Sequence, residues 1–477
     1  MIDYKKKYLK YKSKYLKINN MYGGNNTNSN TNSNTNSNTN SNTNSNNIIN
    51  INDFCSVLTE SKNLISFHNN SLFDLMIPSN KLLENMHLFN KQIKNLNSIS
   101  NQKNTGRCWL FAALNVVRHK FINKYNLKND FEFSESYLFF YDKLERVNYT
   151  LNILEEFNKK NTPLTERNIQ HTLKSPLGDG GLWNMFVNLV NKYGLVPKSV
   201  FPETKHSSSS GNINHMLNKI ILNSFKKIQN NTFDRKTILN DVYLLLIQCF
   251  GKPPNTFDWE YLDKKDKYKI KKNCNPISFY KSININLNDY IVLINDPRNT
   301  YNKNYGVEYL NNMEEGLPVK YLNLEIDKLK EIAQSSINSN DPVFFACDVG
   351  KFFLSKNNLL DTEIYNYESL LNIELDLSKK EKLMYYHTVP NHAMVITGYN
   401  KLDNTINRWQ IENSWGSDKD KEDKSYNGYY TMTDTWFDEY VFMIVVNKKY
   451  ANSSIKKKFF ENIDNKFPIY DVFGTLA

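Results

Sequence analysis

The sequence predicts an α+β fold, and three observations carry that prediction. Residues 108–125 hold apolar side chains at helical spacing: Leu110, Ala113, Leu114, Val117 and Phe121 fall at i, i+3, i+4, i+7 and i+11. The C-terminal part turns to short runs rich in β-branched and aromatic residues, "AMVITGY" (393–399), "RWQIEN" (408–413), "GYYTM" (428–432) and "YVFMIVV" (440–446). Helical patterns lead and strand patterns follow instead of alternating, which points to a helical layer facing an antiparallel sheet.

Two segments precede the folded part. Residues 4–17 repeat a heptad, "YKKKYLK" and "YKSKYLK", which on a helix sets a tyrosine stripe opposite a lysine face. Two heptads make a marginal helix in water. Residues 1–20 therefore read as a basic tail that is either solvated or a docking tag for an assembly, an anionic membrane or nucleic acid. They hold seven lysines against one aspartate, so six of the net +11 charges lie here and the body of the chain is mildly basic. "TNSN" then repeats five times from Thr27 to Asn46, with nothing apolar to bury, so residues 21–47 read as a disordered tether. The folded domain is expected over 48–477.

Hydrophobic content of 40% and aromatic content of 13% suit a folded body. The longest apolar run, "VYLLLIQCF" (242–250), falls far short of the roughly 18–20 residues that cross a bilayer. The N-terminus lacks the apolar core of a secretory signal. Cys55, Cys108, Cys249, Cys274 and Cys347 are scattered, odd in number and without C-x-x-C spacing, which disfavours a disulfide scaffold and a zinc ribbon. The expectation is a soluble cytoplasmic protein in a reducing compartment, with no metal and no cofactor.

Candidate chemistry starts at Cys108. The helical pattern opens just after Gly106, so the sulfur stands near a helix N-terminus, where partial positive charge favours thiolate. A buried structural cysteine is the alternative. A nucleophilic thiolate needs a base and, for acyl transfer, donors for an oxyanion. Gln102 offers a side-chain N–H beside the backbone N–H of Cys108. His392, in "PNHAMVITGY", opens the strongest strand pattern of the C-terminal half. Asn413, in "IENSWG" 21 residues later, has a side-chain carbonyl able to fix the tautomer of that imidazole, and Trp415 could cover the bond from water.

The order Gln–x5–Cys–Trp, a distant His-Ala, then Asn-Ser-Trp-Gly resembles the papain-like cysteine peptidases. In the ordinary branch the histidine and asparagine follow the cysteine by about 130–150 residues, whereas His392 follows Cys108 by 284. The stretches "GDGGLWNMFVNLVNKYGLVPKSVFPE" (178–203), "NDPRNTYNKNYGVEYL" (295–310), "DPVFFACDVGKFF" (341–353) and "GYYTMTDTWFDEYVF" (428–442) are similar to the bleomycin hydrolase/aminopeptidase C branch, over nearly the whole folded part.

That resemblance implies a two-lobed papain-like fold, a helical lobe and an antiparallel β lobe, with a large helical insertion at about 205–380 serving oligomerisation. It implies an intracellular cysteine aminopeptidase acting on peptides: Cys108 as nucleophile, His392 as its partner, Asn413 orienting His392, and Gln102 completing the oxyanion hole. Gly180 and Gly181 match the glycine pair whose backbone takes up substrate, although Leu182 follows where the family has glutamine. The tail 467–477, ending "YDVFGTLA", would reach the active site, with the carboxylate of Ala477 meeting the substrate amine. Relatives also imply a homohexamer and weak nucleic-acid binding, for which "DKKDKYKIKK" (263–272) and "IKKKFF" (455–460) are candidate patches. Two alternatives stay open: an endopeptidase with a mobile tail, and a nucleic-acid-binding scaffold with residual activity.

Overall fold

The computed structural model describes residues 64–83, 87–371, 373–417 and 428–476. The basic heptads, the tether, the expected start of the folded domain near residue 48 and Ala477 lie outside the described residues. Residues 69–477 form one folded unit; before it, 64–68 belong to a short helix, Leu64–Asn69.

The strands, in chain order, are β1 (Lys91–Gln92), β2 (Phe257–Leu262), β3 (Tyr268–Cys274), β4 (Tyr290–Ile294), β5 (Lys303–Val307), β6 (Lys320–Asn323), β7 (Val343–Cys347), β8 (Phe353–Leu354), β9 (Leu359–Leu360), β10 (His392–Leu402), β11 (Thr405–Glu412), β12 (Tyr429–Thr433), β13 (Val441–Asn447) and β14 (Asn465–Phe467). The four runs read as strands from sequence are β10 to β13, each within three residues of its expected ends. β2 and β3 make a separate hairpin. The other twelve build one sheet, β14–β5–β6–β4–β13–β7–β10–β11–β12–β9–β8, with β1 added on β10. Its centre is antiparallel as expected, while β4–β6, β5–β14 and β9–β12 are parallel pairs toward the flanks. Segment periodicity carries no information about strand direction.

Side-chain alternation gives the sheet two buried faces. Along β7, Phe344 and Ala346 join one core and Val343, Phe345 and Cys347 the other. The pairing Ala393↔Ala346 and Met394↔Phe345 extends both faces into β10. A one-residue slip would exchange the two faces, so burial on both sides fixes the position of His392 along the sheet edge.

The helical layer holds α1 (Cys108–Tyr125), α2 (Glu135–Lys159), α3 (Arg167–Lys174) and α4 (Trp183–Tyr193). The limits of α1 match the sequence reading, but its buried surface is wider than one stripe. Trp109, Phe111, Ala112 and Val116 are buried as well. The cause is placement: α1 packs against α2 and α4 and also against β7 and β10. Its polar residues then need internal partners. The Arg118 guanidinium donates to the carbonyls of Ser98 at 3.0 Å and Asn129 at 2.6 Å, and the Asn115 amide donates to Ser100 Oγ at 3.2 Å. Asn126 ends the helix in the left-handed region, φ 51°, which asparagine tolerates.

Within 205–380, helix is concentrated in α5 (Gly211–Gln229) and α6 (Arg235–Phe250), the latter holding the apolar run 242–250. Beyond it the segment supplies β2 to β9, six of which, β4 to β9, join the large sheet. No helix among the described residues is long and apolar enough to cross a membrane.

Gly194 shows what a missing Cβ does for this packing. It closes α4 at φ 74°, and a Cβ there would lie 2.2 Å from the Pro276 carbonyl carbon. Gly194→Ala should lower stability by about 2–4 kcal/mol through backbone strain and overpacking combined. Denaturant unfolding of the two proteins measures this, and a change under about 0.5 kcal/mol, the scale of an ordinary surface substitution, would show the loop is free to move.

Candidate active site

Cys108 is the first residue of α1. Its N-cap residue, Arg107, makes no side-chain cap, so the helix N-terminus keeps donors for another acceptor. The thiol stands there, where the backbone amides of Ala393, Trp109 and Cys108 each favour its thiolate. Ala393 directly follows His392 at the head of β10. The sheet and the helical layer thus meet at one sulfur.

The imidazole is fixed on its other side. His392 Nε2 lies 2.9 Å from Asn413 Oδ1, and the backbone N–H of Ser414 donates to the same oxygen at 2.7 Å. A backbone N–H can only donate, so Oδ1 is an acceptor and Nε2 must carry the hydrogen. That leaves Nδ1 as the free basic nitrogen of the neutral ring. Trp415 lies over this pair with its ring 4.8 Å from that of His392, while remaining 40% exposed. It covers the bond and also presents an aromatic face to the groove.

Gln102 is held by the segment that carries Asn413. Its N–H donates to the Ser414 carbonyl at 2.8 Å, and Asn101 and Trp415 form a β-bridge. The side-chain carbonyl accepts from Ser414 Oγ at 2.7 Å, and Nε2 donates to the Thr105 carbonyl at 2.7 Å. With two hydrogens on Nε2, one remains for an oxyanion. Ser414 was assigned no role from sequence, although it stands inside the quoted "IENSWG". Its hydroxyl defines which face of the Gln102 amide is the donor.

Burial pushes the Cys108 thiol up to about 11, against the lowering effect of the Ala393, Trp109 and Cys108 amides. Burial also holds the His392 imidazole down to about 4, against the hydrogen bond to Asn413. Each group alone is therefore neutral near pH 7.

A second group missed from sequence is Asp179, inside "GDGG". Its carboxylate accepts from Lys143 Nζ at 2.7 Å, Asn214 Nδ2 at 2.6 Å, Gly106 N at 3.1 Å and the hydroxyl of Ser210, and its carbonyl accepts from Trp109 Nε1 at 2.8 Å. Burial opposes its charge, but Lys143 and these donors hold it well below the usual carboxylate range. Asp179 therefore ties the loop before Cys108 to the loop of Gly180 and Gly181.

The glycine pair serves two contacts. A Cβ on Gly181 would lie 2.4 Å from the Trp109 ring, so this glycine lets the loop pack flat on the indole. A Cβ on Gly180 would lie 2.7 Å from both Cβ and the carbonyl oxygen of Leu476. Leu476, near the end of the chain, thus runs against the Gly180 backbone, while Ala477 lies outside the described residues. Beyond it a cavity of about 370 Å³ is lined by Gly178, Gly180, Thr475, Leu476, Thr150 and His171. Among the described residues no group of three or more His, Cys, Asp or Glu is arranged to hold a metal ion.

Comparison with known proteins matches this geometry to a family. A family model described as the Peptidase C1-like family matches residues 51–474. The chain is 40% identical to an aminopeptidase C of Listeria innocua over 390 residues, 80% of this chain and 86% of that protein. It is 39% identical to the bleomycin hydrolase of Gallus gallus over 398 residues, again 80% and 86%. The crystal structure of PepW from Lactobacillus rhamnosis superposes with a TM-score of 0.81 at 33% identity, covering 87% of this chain and 94% of that one. With a thiol at a helix N-terminus, a histidine fixed by an asparagine, and relatives that span nearly their full length, the chain belongs to the Peptidase C1-like family and is a cysteine peptidase.

Proposed function

We propose that the protein is a cysteine aminopeptidase in which Cys108 is the nucleophile and His392 its acid–base partner. The observation that carries this reading is the arrangement at one sulfur: amide donors converge on Cys108 while Asn413 leaves Nδ1 of His392 as the free basic nitrogen. The Cys108 thiolate attacks the carbonyl of the first peptide bond, and the developing oxyanion takes the backbone N–H of Cys108 and the spare N–H of Gln102. The imidazolium protonates the leaving amine as the C–N bond breaks, leaving a thioester. Water then attacks the thioester, His392 takes its proton, and the thiolate is restored.

Restriction to chain ends is supported by Leu476. A peptide strand pairing with the Gly180 backbone would need the space that Leu476 fills, so the groove accepts few residues on that side of the scissile bond. An endopeptidase needs the same side open. The expected pairing of the Ala477 carboxylate with the substrate amine is part of this proposal, as is the aromatic face of Trp415 as a substrate contact. A homohexamer and a reducing cytoplasmic setting belong to the same reading; the free state of the four described cysteines supports the setting. Support for nucleic-acid binding is confined to exposed lysines such as Lys267, Lys269 and Lys272 on the β2–β3 hairpin.

Turnover of a free-amine dipeptide amide and of its N-acetylated counterpart tests the function. Wild type should cleave the first and spare the second, and Cys108→Ala should lose about 10⁴-fold or more in kcat while keeping its thermal transition. His392→Ala should lose nearly as much. Activity retained in Cys108→Ala rules the mechanism out.

The buried imidazole also predicts a pH dependence of stability, best seen in Cys108→Ala, where no thiolate forms. His392 folded near 4 and unfolded near its ordinary 6.5 binds fewer protons when folded between those values. The unfolded state then gains protons as pH falls, so stability drops through this window, by up to about 3 kcal/mol. Denaturant unfolding at both ends of the window, compared with Cys108→Ala/His392→Asn, measures it; equal slopes in the two proteins would show that the ring is not held neutral.

A further inference from the structure

The wall that Thr475 and Leu476 form has modest anchoring of its own: Leu476 packs, partly buried, against the edge of the core, and the Thr475 N–H donates to the Val472 carbonyl at 3.3 Å. Both residues are partly exposed, and on one side they line the cavity of about 370 Å³. What fixes them stands a few residues upstream. Val472 and Phe473 are buried in a short 3₁₀ turn, with the Phe473 carbonyl accepting from Tyr321 Oη at 3.3 Å. Asp471 opens that turn, and its Oδ1 accepts from the Phe473 N–H at 2.9 Å.

Asp471 is in turn gripped by Arg298, on the loop that follows β4. Nη1 donates to Asp471 Oδ2 at 3.2 Å and Nη2 to Asp471 Oδ1 at 3.0 Å. The same guanidinium meets a second carboxylate, with Nε 2.9 Å from Asp296 Oδ1 and Nη2 2.9 Å from Oδ2. Asp296 is fully buried and is itself set by Asn323, whose side chain accepts from its N–H at 2.8 Å. A planar fork bridging two carboxylates is a directional clamp that an ammonium group could not reproduce. One carboxylate belongs to the loop leaving β4 and the other to the strap.

We propose that the Arg298–Asp471 pair is a positioning device that determines specificity: it holds the C-terminal strap so that Thr475 and Leu476 close the groove at Gly180, and it thereby sets terminal against internal cleavage. This rests on the reading that Leu476 shortens the groove. Neither residue takes part in bond making. Loosening the clamp frees the strap while leaving Cys108, His392, Asn413 and Gln102 in place.

The experiment uses the full chain and two gentle variants. Asp471→Asn keeps an acceptor for the Phe473 N–H but removes the charge that Arg298 grips, and Arg298→Lys keeps charge but loses the fork. The ratio of kcat/KM on an N-acetylated peptide to that on its free-amine form should rise about tenfold or more in both. Alkylation of Cys108 by iodoacetamide should stay within about twofold of wild type, since the clamp is remote from the sulfur. Deletion of 475–477 separates the two levels of the argument. If deletion raises the ratio and both variants leave it unchanged, the clamp is wrong and the shortened groove stands. If deletion also leaves it unchanged, the groove reading falls and takes the proposal with it. Parallel loss of both peptide activities and of alkylation in the two variants also overturns the proposal, because the pair would then be holding the fold and not the specificity.

Discussion

The packing of α1 on β10, which sets Cys108 beside the head of that strand, is the constraint on which the rest of the molecule depends. It joins the first residue of a helix to the head of a strand 284 positions later. Neither partner has freedom to drift. The first three turns of α1, Cys108 to His119, are buried on every face, and β10 lies between β7 and β11 with its register set by two buried faces of the sheet. Packing at crystal-like density makes such a junction stiff, and stiffness here is functional, since reacting groups must be held to within about half an ångström.

Electrostatics under the site works partly against the chemistry. Burial disfavours thiolate at Cys108 most, and the Asp179 carboxylate adds to it. The fold accepts this because the same carboxylate binds Gly106, Ser210, Asn214 and Lys143 and so aligns the nucleophile loop with the glycine loop. Lys143, itself buried, offsets most of the charge at 2.7 Å. What remains favouring the thiolate is short-range: the amides of Cys108, Trp109 and Ala393, and a histidine kept in the correct tautomer by an asparagine that Ser414 has oriented. Geometry has been secured first, and the donors that matter act only at contact distance.

Sequence made the local features legible and left the distant ones hidden. Helical spacing gave both ends of α1, and period-two runs gave β10 to β13, because each signal is contained in one segment. The spacing missed that the first three turns of α1 are covered all round, since a stripe cannot reveal a second layer on the opposite face. Cys108, His392, Asn413 and Gln102 were visible from the order of their motifs, and the structure brings their segments to one place. Ser414 and Asp179 stood inside quoted motifs but carried no signal of their own, because a hydroxyl or carboxylate in a loop is ordinary until its partners are known. Arg298 and Asp471 are 173 residues apart, and nothing in either segment names the other.

Gly180 and Gly181 show how one local rule can serve two unrelated ends. Both lack a Cβ because something must come close, but at Gly181 the neighbour is Trp109, within the same layer, and at Gly180 it is Leu476, from the end of the described chain. The first contact packs the loop on the residue after Cys108 and belongs to the fold. The second, on the proposed reading, fills space that a substrate strand would use. On the proposed reading the strap is gripped by Arg298, on the loop after β4, and not by Cys108 or His392, so the length of the groove and the reactivity of the sulfur would rest on separate sets of contacts. A fold built in this way allows its cleavage pattern to change through the tail while the reacting groups keep their positions.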